Sequence, residues 1–239
     1  LMKTFLGPEY TSYSQAINSF KNLSLTVLND AEVISFDFFD TIFTRPIADP
    51  EDVFEILGRK LNIDNFKVKR QQAQVEAFRQ MTARGKKEIT IDDIYAAFTD
   101  NTIPAEKMIE AEYQLELALV EPNKIIFDLF KRLKAVGKTV IVTSDMYLPA
   151  RFFEQALDKY GVTGVKVFSS ADENATKRDA GILFDVIAKK LNVRHDHILH
   201  VGDNEVSDVI RPREKGLQAF HYRSHYLGTI SKGFLHRVC

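Results

Sequence analysis

An apolar run, Val33-Ile34-Ser35-Phe36, ends in Asp37, and Thr41 follows four residues later. Far downstream Ser144 closes a second apolar run and Lys177 stands before a helical pattern. Gly202-Asp203 closes a third run, with Asp208 five residues beyond Asp203. A single acid at a strand end is ordinary. Together these residues have complementary chemistry. Asp203 and Asp208 are hard oxygen donors of the kind Mg²⁺ takes alongside waters and phosphate oxygens. Lys177 is a compact positive charge and Ser144 a hydroxyl donor, both suited to anionic oxygens. Asp37 is a candidate nucleophile, because a carboxylate needs no base to activate it. Its repulsion from a phosphate would have to be screened by a cation. The set reads as a site for phosphoryl transfer assisted by a divalent metal.

The elements that must position these residues are legible around them. Strand-like runs at Thr139–Thr143, Val165–Phe168, Ile198–Val201 and Leu217–Phe220 alternate with helical patterns at Pro149–Tyr160, Asp179–Leu191 and roughly Val206–Lys215. Pro212 should kink or shorten the last of these. Continuous apolar strands separated by amphipathic helices predict a parallel sheet covered on both faces. Ligands of such sheets bind beyond the carboxyl ends of the strands, where every residue of the set falls. A weak helical pattern, with Ala16, Ile17, Phe20 and Leu23, precedes the first strand.

Residues 46–121 break the alternation with four helical patterns and no convincing strand. Pro50-Glu51-Asp52 starts the first, with Val53, Ile56, Leu57 and Leu61 as its apolar face. A long polar helix over Asn65–Arg84 should stop at Gly85. Thr90 and Asp93 predict a capping box, and Pro104 opens a helix with Met108, Ile109, Leu115 and Leu119 that Pro122 ends. Phe54, Phe66, Phe78, Phe98 and Tyr113 are expected in the core of this insert, and Lys67, Lys69, Arg70 and Lys86-Lys87 on solvated faces.

A chain of 239 residues, 45% hydrophobic and 27% charged, has a soluble globular composition. A net charge of −1 gives no field for steering nucleic acid or a lipid surface, so neither is an expected partner. With Cys239 the single cysteine and no long apolar run, a reducing, cytoplasmic compartment is expected. A start at Leu1-Met2 and an end at Val238-Cys239 leave room for a longer parent protein. His195, His197 and His200 lack zinc spacing and read as loop and core histidines.

The four motifs in order resemble those of the haloacid dehalogenase superfamily, over roughly residues 30–223. The resemblance implies an α/β fold: a Rossmann-like parallel sheet formed by residues 1–45 and 122–239, with residues 46–121 as an inserted helical cap. It implies Asp37 as nucleophile, with Thr41, Ser144 and Lys177 binding the phosphate, and Ser144 and Lys177 also catalytic. Mg²⁺ would be the cofactor, held by Asp37, the Phe39 backbone carbonyl, Asp203 and Asp208. The substrate would be a small phosphorylated metabolite, hydrolysed through an aspartyl-phosphate. The strings Ser144-Asp145-Met146-Tyr147-Leu148-Pro149 and Gly202-Asp203-Asn204 are similar to a branch whose bacterial members are sometimes joined to glycosyltransferase domains. One departure stands out: phosphatases of this superfamily carry a general acid/base Asp two residues after the nucleophile, and this chain has Phe39. Asp40 is one residue further on. Two rival readings follow, a dehalogenase-like hydrolase and a weakly catalytic binding module of a longer protein. A register with Asp40 as nucleophile and Thr44 after it fits the spacing, but the apolar strand ends at Asp37.

Overall fold

The computed structural model describes residues 30–222 apart from residue 101. The first helical pattern and Cys239 lie outside the described residues. In chain order the strands are β1 (Val33–Phe36), β2 (Phe43–Thr44), β3 (Glu121–Pro122), β4 (Thr139–Ser144), β5 (Lys166–Ser169), β6 (Ile198–Gly202) and β7 (Gln218–His221). The helices are α1 (Asp52–Leu61), α2 (Phe66–Ala83), α3 (Ile91–Ala96), α4 (Ala105–Leu119), α5 (Lys124–Ala135), α6 (Ala150–Lys159), α7 (Ser170–Glu173), α8 (Ile182–Leu191) and α9 (Arg211–Glu214). A π-helical turn spans Glu205–Ile210.

Five strands form one parallel sheet in the order β5-β4-β1-β6-β7. The central strand β1 is fully buried, its apolar run interrupted only by Ser35, whose hydroxyl is hydrogen-bonded within the sheet. Phe36 stands opposite Val142 on one side and Val201 on the other, so Asp37 leaves the sheet between the ends of β4 and β6. Alternation splits the core. Ile34, Phe36, Val142 and Val201 face Phe127, Phe130, Phe152 and Phe153 of α5 and α6, whereas Val33, Ile141, Phe168 and Ile198 face Leu183, Phe184 and Ile187 of α8. Helix α5 is not among the predicted patterns, although Ile126, Phe127, Leu129, Phe130 and Leu133 make one buried stripe along it.

The segment 46–121 leaves and rejoins the sheet through β2 and β3, which pair antiparallel, Phe43 with Pro122 and Thr44 with Glu121. These two-residue strands are too short to register as a sequence pattern. Pro122 is tolerated there because a two-stranded ribbon consists only of edges. Within the insert the predicted capping box forms: the Asp93 amide donates to Thr90 Oγ1, and the Thr90 amide to Asp93 Oδ2. Gly85 takes a left-handed φ of 67° beyond the end of α2.

Two expectations fail here. Ile56 is exposed, and Phe54 and Gly58 complete the inward face of α1 instead. Gly58 is required because a Cβ there would lie 2.6 Å from the Cβ of Phe66. Arg70 is not on a solvated face. It is 0% exposed, makes a two-pronged ion pair with Glu112 at 2.8 Å per bond, and lies against the rings of Phe54, Tyr95 and Tyr147. A charge run in sequence does not reveal that one member faces a buried acid a helix away.

Candidate active site

The loop after β1 turns sharply, with Asp40 at a left-handed φ of 58°. The turn folds Thr41 back over the strand end, and its hydroxyl donates to Asp37 Oδ2 at 3.2 Å and lies 3.4 Å from Asp203 Oδ1. The Asp37 amide donates to the Val201 carbonyl at 2.8 Å, pinning the acid to the central ladder. Asp40 is half-buried beyond the sheet edge, as the spacing argument required.

At the end of β6 a π-helical turn replaces the first turn of an ordinary helix, a deviation frequent at functional sites. Asn204 caps it, its Oδ1 accepting from the amides of Val206 and Ser207 at 3.0 Å each. The wide turn carries Asp208 back against the strand. A Cβ on Gly202 would fall 2.4 Å from the Asp208 carboxyl carbon, so only glycine permits this approach. Asp208 is fully engaged: Oδ1 accepts from Lys177 Nζ at 2.6 Å and His200 Nε2 at 3.0 Å, and Oδ2 from the Asn204 amide at 3.0 Å.

Lys177 arrives from the loop between α7 and α8. Asp145 holds that loop, accepting the Lys177 amide at 2.8 Å and the Arg178 amide at 2.9 Å. The ammonium is buried and donates to Asp37 Oδ1 at 2.7 Å as well as to Asp208. Carboxylate oxygens of Asp37, Asp203 and Asp208 all lie within 4.8 Å of one another. Thus Asp37, Thr41, Lys177, Asp203 and Asp208, separated by up to about 170 residues in sequence, meet at one sheet edge.

Ser144 is placed differently. It ends β4 on the same sheet edge and is buried, but its hydroxyl makes no hydrogen bond among the described residues. The neighbouring Thr143 hydroxyl is engaged beneath the site, 2.7 Å from Ser35 Oγ. Phe39 turns its ring onto Phe38 and Phe152, under the Arg45 guanidinium at 4.3 Å, and its carbonyl accepts no hydrogen bond from the described residues. The roles of Asp145 and His200 are not signalled by the motifs: His200 stands opposite Ser35 only once β1 and β6 are in register.

The electrostatics are those of a site short of positive charge. Burial pushes the Asp37 carboxyl well above the usual carboxylate range; Lys177 opposes this, and Asp208 and Asp203 add to it. Burial, Asp40 and Asp208 push Asp203 up to about 7. Burial disfavours the charges of Asp208 and Lys177 too, but their mutual attraction prevails, holding Asp208 below and Lys177 above their ordinary values. Burial lowers the His200 ring below its ordinary value, against the pull of Asp208. Three carboxylates sharing one ammonium leave an uncompensated negative charge. Hard oxygen donors and a deficit of positive charge fit a divalent cation such as Mg²⁺.

The insert meets the sheet at the same end. The Ile91 amide donates to the Tyr147 carbonyl at 2.9 Å, and Glu88 binds Arg178 through two bonds, at 2.7 and 2.8 Å. Glu88 also accepts from Ser170 Oγ at 2.8 Å. These partners belong to segments that follow the carboxyl ends of β4 and β5.

No protein-family model and no curated protein matches the chain. Solved structures do. A 2-haloacid dehalogenase from Pseudomonas syringae pv. Tomato is 15% identical with a TM-score of 0.57, covering 87% of this chain and 100% of its own. A HAD-hydrolase from Bacillus subtilis, YfnB, bound to magnesium, is 17% identical with a TM-score of 0.54, covering 79% of this chain and 87% of its own. A HAD family enzyme from Bacteroides thetaiotaomicron, in complex with magnesium and inorganic phosphate, is 14% identical with a TM-score of 0.55, covering 81% and 95%. The chain has the α/β fold of the haloacid dehalogenase superfamily, a Rossmann-like parallel sheet with helical insertions. No helix among the described residues is long and apolar enough to cross a membrane.

Proposed function

We propose that this chain is a Mg²⁺-dependent phosphohydrolase acting on a small phosphorylated metabolite, with Asp37 as nucleophile. The observation that carries the reading is the convergence of Asp37, Asp203 and Asp208 around a single buried lysine. A site built only to attack carbon would gain nothing from acids that raise one another's affinity for protons. A site built around a cation requires them. The neighbours bound to magnesium, one of them also to phosphate, support this reading.

In the proposed mechanism, Asp37, Asp203, Asp208 and the Phe39 carbonyl would hold Mg²⁺, which when bound would neutralise charge on the phosphate. Asp37 attacks phosphorus, the bond to the leaving oxygen breaks, and an aspartyl-phosphate forms on Asp37. Lys177 keeps Asp37 oriented and offers its charge to the equatorial oxygens. Thr41 fixes the other carboxylate oxygen, and Ser144 is assigned a free hydroxyl for the phosphate. Water then hydrolyses the acyl phosphate. Residues 46–121 act as a cap over this edge, excluding water during transfer and readmitting it for hydrolysis.

A dehalogenase-like hydrolase is the second reading, favoured by Phe39 in place of an acid and by the dehalogenase neighbour. A screen of phosphorylated metabolites and 2-haloacids, with Mg²⁺ and with a chelator, separates the two. Phosphate release that vanishes on chelation supports the proposal, and halide release that survives chelation defeats it. Asp203→Asn should chiefly weaken Mg²⁺ binding.

A further inference from the structure

Beneath the proposed metal ligands runs a buried chain of polar side chains that the mechanism above does not use. Thr143 Oγ1 lies 2.7 Å from Ser35 Oγ, Ser35 Oγ 2.8 Å from His200 Nδ1, and His200 Nε2 3.0 Å from Asp208 Oδ1. Thr143, Ser35 and His200 are each 0% exposed and come from three adjacent strands, β4, β1 and β6. The His200 ring is wedged edge-on against Phe184 at 5.0 Å. Three hydrogen-bonding groups in the middle of an apolar sheet face are costly unless each is satisfied. Val, Ala or Leu would fill these positions without that demand.

We propose that Thr143, Ser35 and His200 are positioning residues that fix the orientation of Asp208, and through it Lys177, for metal and phosphate binding. This inference rests on the phosphohydrolase reading. Asp208 already accepts from Lys177 and the Asn204 amide, so His200 Nε2 meets it as a donor. The Ser35 hydroxyl bridges the other ring nitrogen, Nδ1, to the Thr143 hydroxyl. Asp208 Oδ1 thereby receives His200 from below the sheet edge and Lys177 from the side, while Asn204 holds Oδ2. With three donors in different directions, the carboxylate cannot rotate. Partners of this kind behind a metal-ligating group are typically worth about 10–100-fold in metal affinity or activity.

The test uses Ser35→Ala, His200→Leu and His200→Gln, with calorimetric Mg²⁺ titration without substrate and long-range ¹H–¹⁵N spectra of the histidine rings. Wild type should show hydrogen on His200 Nε2, the nitrogen that faces Asp208. Ser35→Ala, which removes one oxygen and keeps the fold, should shift the His200 Nδ1 resonance and weaken Mg²⁺ binding about 10-fold or more. His200→Leu should weaken binding further, and His200→Gln, which keeps an amide donor, should restore part of it. In turnover, these variants should lose kcat more than they raise KM for p-nitrophenyl phosphate. Folded Ser35→Ala and His200→Leu with wild-type Mg²⁺ affinity would overturn the inference and leave the phosphohydrolase reading standing. A wild-type protein that binds no Mg²⁺ would remove that reading, and the inference with it. A wild-type His200 protonated on Nδ1 alone would overturn the inference by itself.

Discussion

Phe39 is the residue where this site departs furthest from the phosphatases it resembles, and its surroundings make the departure consequential. The ring packs on Phe38 and Phe152 and lies under Arg45, so the position two residues after Asp37 is filled by an apolar face. No carboxyl at that position can protonate a departing oxygen. Aryl and acyl phosphates, which leave unaided, should therefore be turned over faster than alkyl phosphates by about 10²–10⁴, the usual range of general acid catalysis. Rate constants for p-nitrophenyl phosphate and a sugar phosphate measure the gap, and Phe39→Asp should narrow it. Equal rates in the unmodified chain would show that another group, Asp40 first, already supplies the proton. Gly202 gives a second prediction. Gly202→Ala places a methyl 2.4 Å from the Asp208 carboxyl carbon and should displace that acid. Mg²⁺ affinity should fall by about 10-fold or more while the secondary structure, followed by circular dichroism, is retained. Unchanged affinity would mean that Asp208 has no part in binding the metal.

Among the elements, the insert carries its own buried electrostatics. Burial alone would disfavour an ionised Glu112, but Arg70 and the hydroxyls of Tyr95 and Tyr147 outweigh it and hold the acid below its ordinary value. A depressed native value means that the stabilisation is fully present above the unfolded value of about 4.5 and is lost as pH falls through the native one. Glu112→Gln leaves Arg70 buried without its counter-ion and should cost about 3–5 kcal/mol at neutral pH. Urea unfolding at several pH values checks both parts: the difference between wild type and variant should shrink below pH ~4.5. A difference independent of pH would show that packing, not charge, holds the pair. The same element shows where sequence reading succeeds and where it stops. The capping box at Thr90, the glycine stop at Gly85 and the strand carrying Asp37 are local signals, and local signals were legible. The burial of Arg70, the two-residue strands β2 and β3, the lock of Asp145 on the Lys177 loop and the link from His200 to Asp208 are pairings across distant segments. No spacing announces them. The apolar stripe of α5 is a local signal of the same kind as the capping box.

At the scale of the molecule, the insert and the sheet share a buried apolar cluster and several polar contacts, among them Tyr113 with Gln155 and the two bonds of Glu88 to Arg178. Arg178 follows Lys177 directly, so the tie that seats the insert also steadies the loop carrying the buried ammonium. Glu88→Gln should weaken that tie by about 1–3 kcal/mol, toward the lower end because Arg178 is partly exposed. Hydrogen exchange at Ile91, whose amide bonds to Tyr147, should then quicken by about tenfold for each ~1.4 kcal/mol lost. Unaltered exchange would show that the remaining contacts seat the insert without this ion pair. The central claim is that Asp37 attacks phosphorus in a Mg²⁺-dependent reaction. Its most direct test is to quench the protein in acid during turnover of ³²P-labelled acetyl phosphate and locate the label by peptide mapping. A hydroxylamine-sensitive phosphate on the Asp37 peptide, absent with chelator and absent in Asp37→Asn, is the predicted result. Near-normal turnover by Asp37→Asn, or label confined to another residue, would contradict the account.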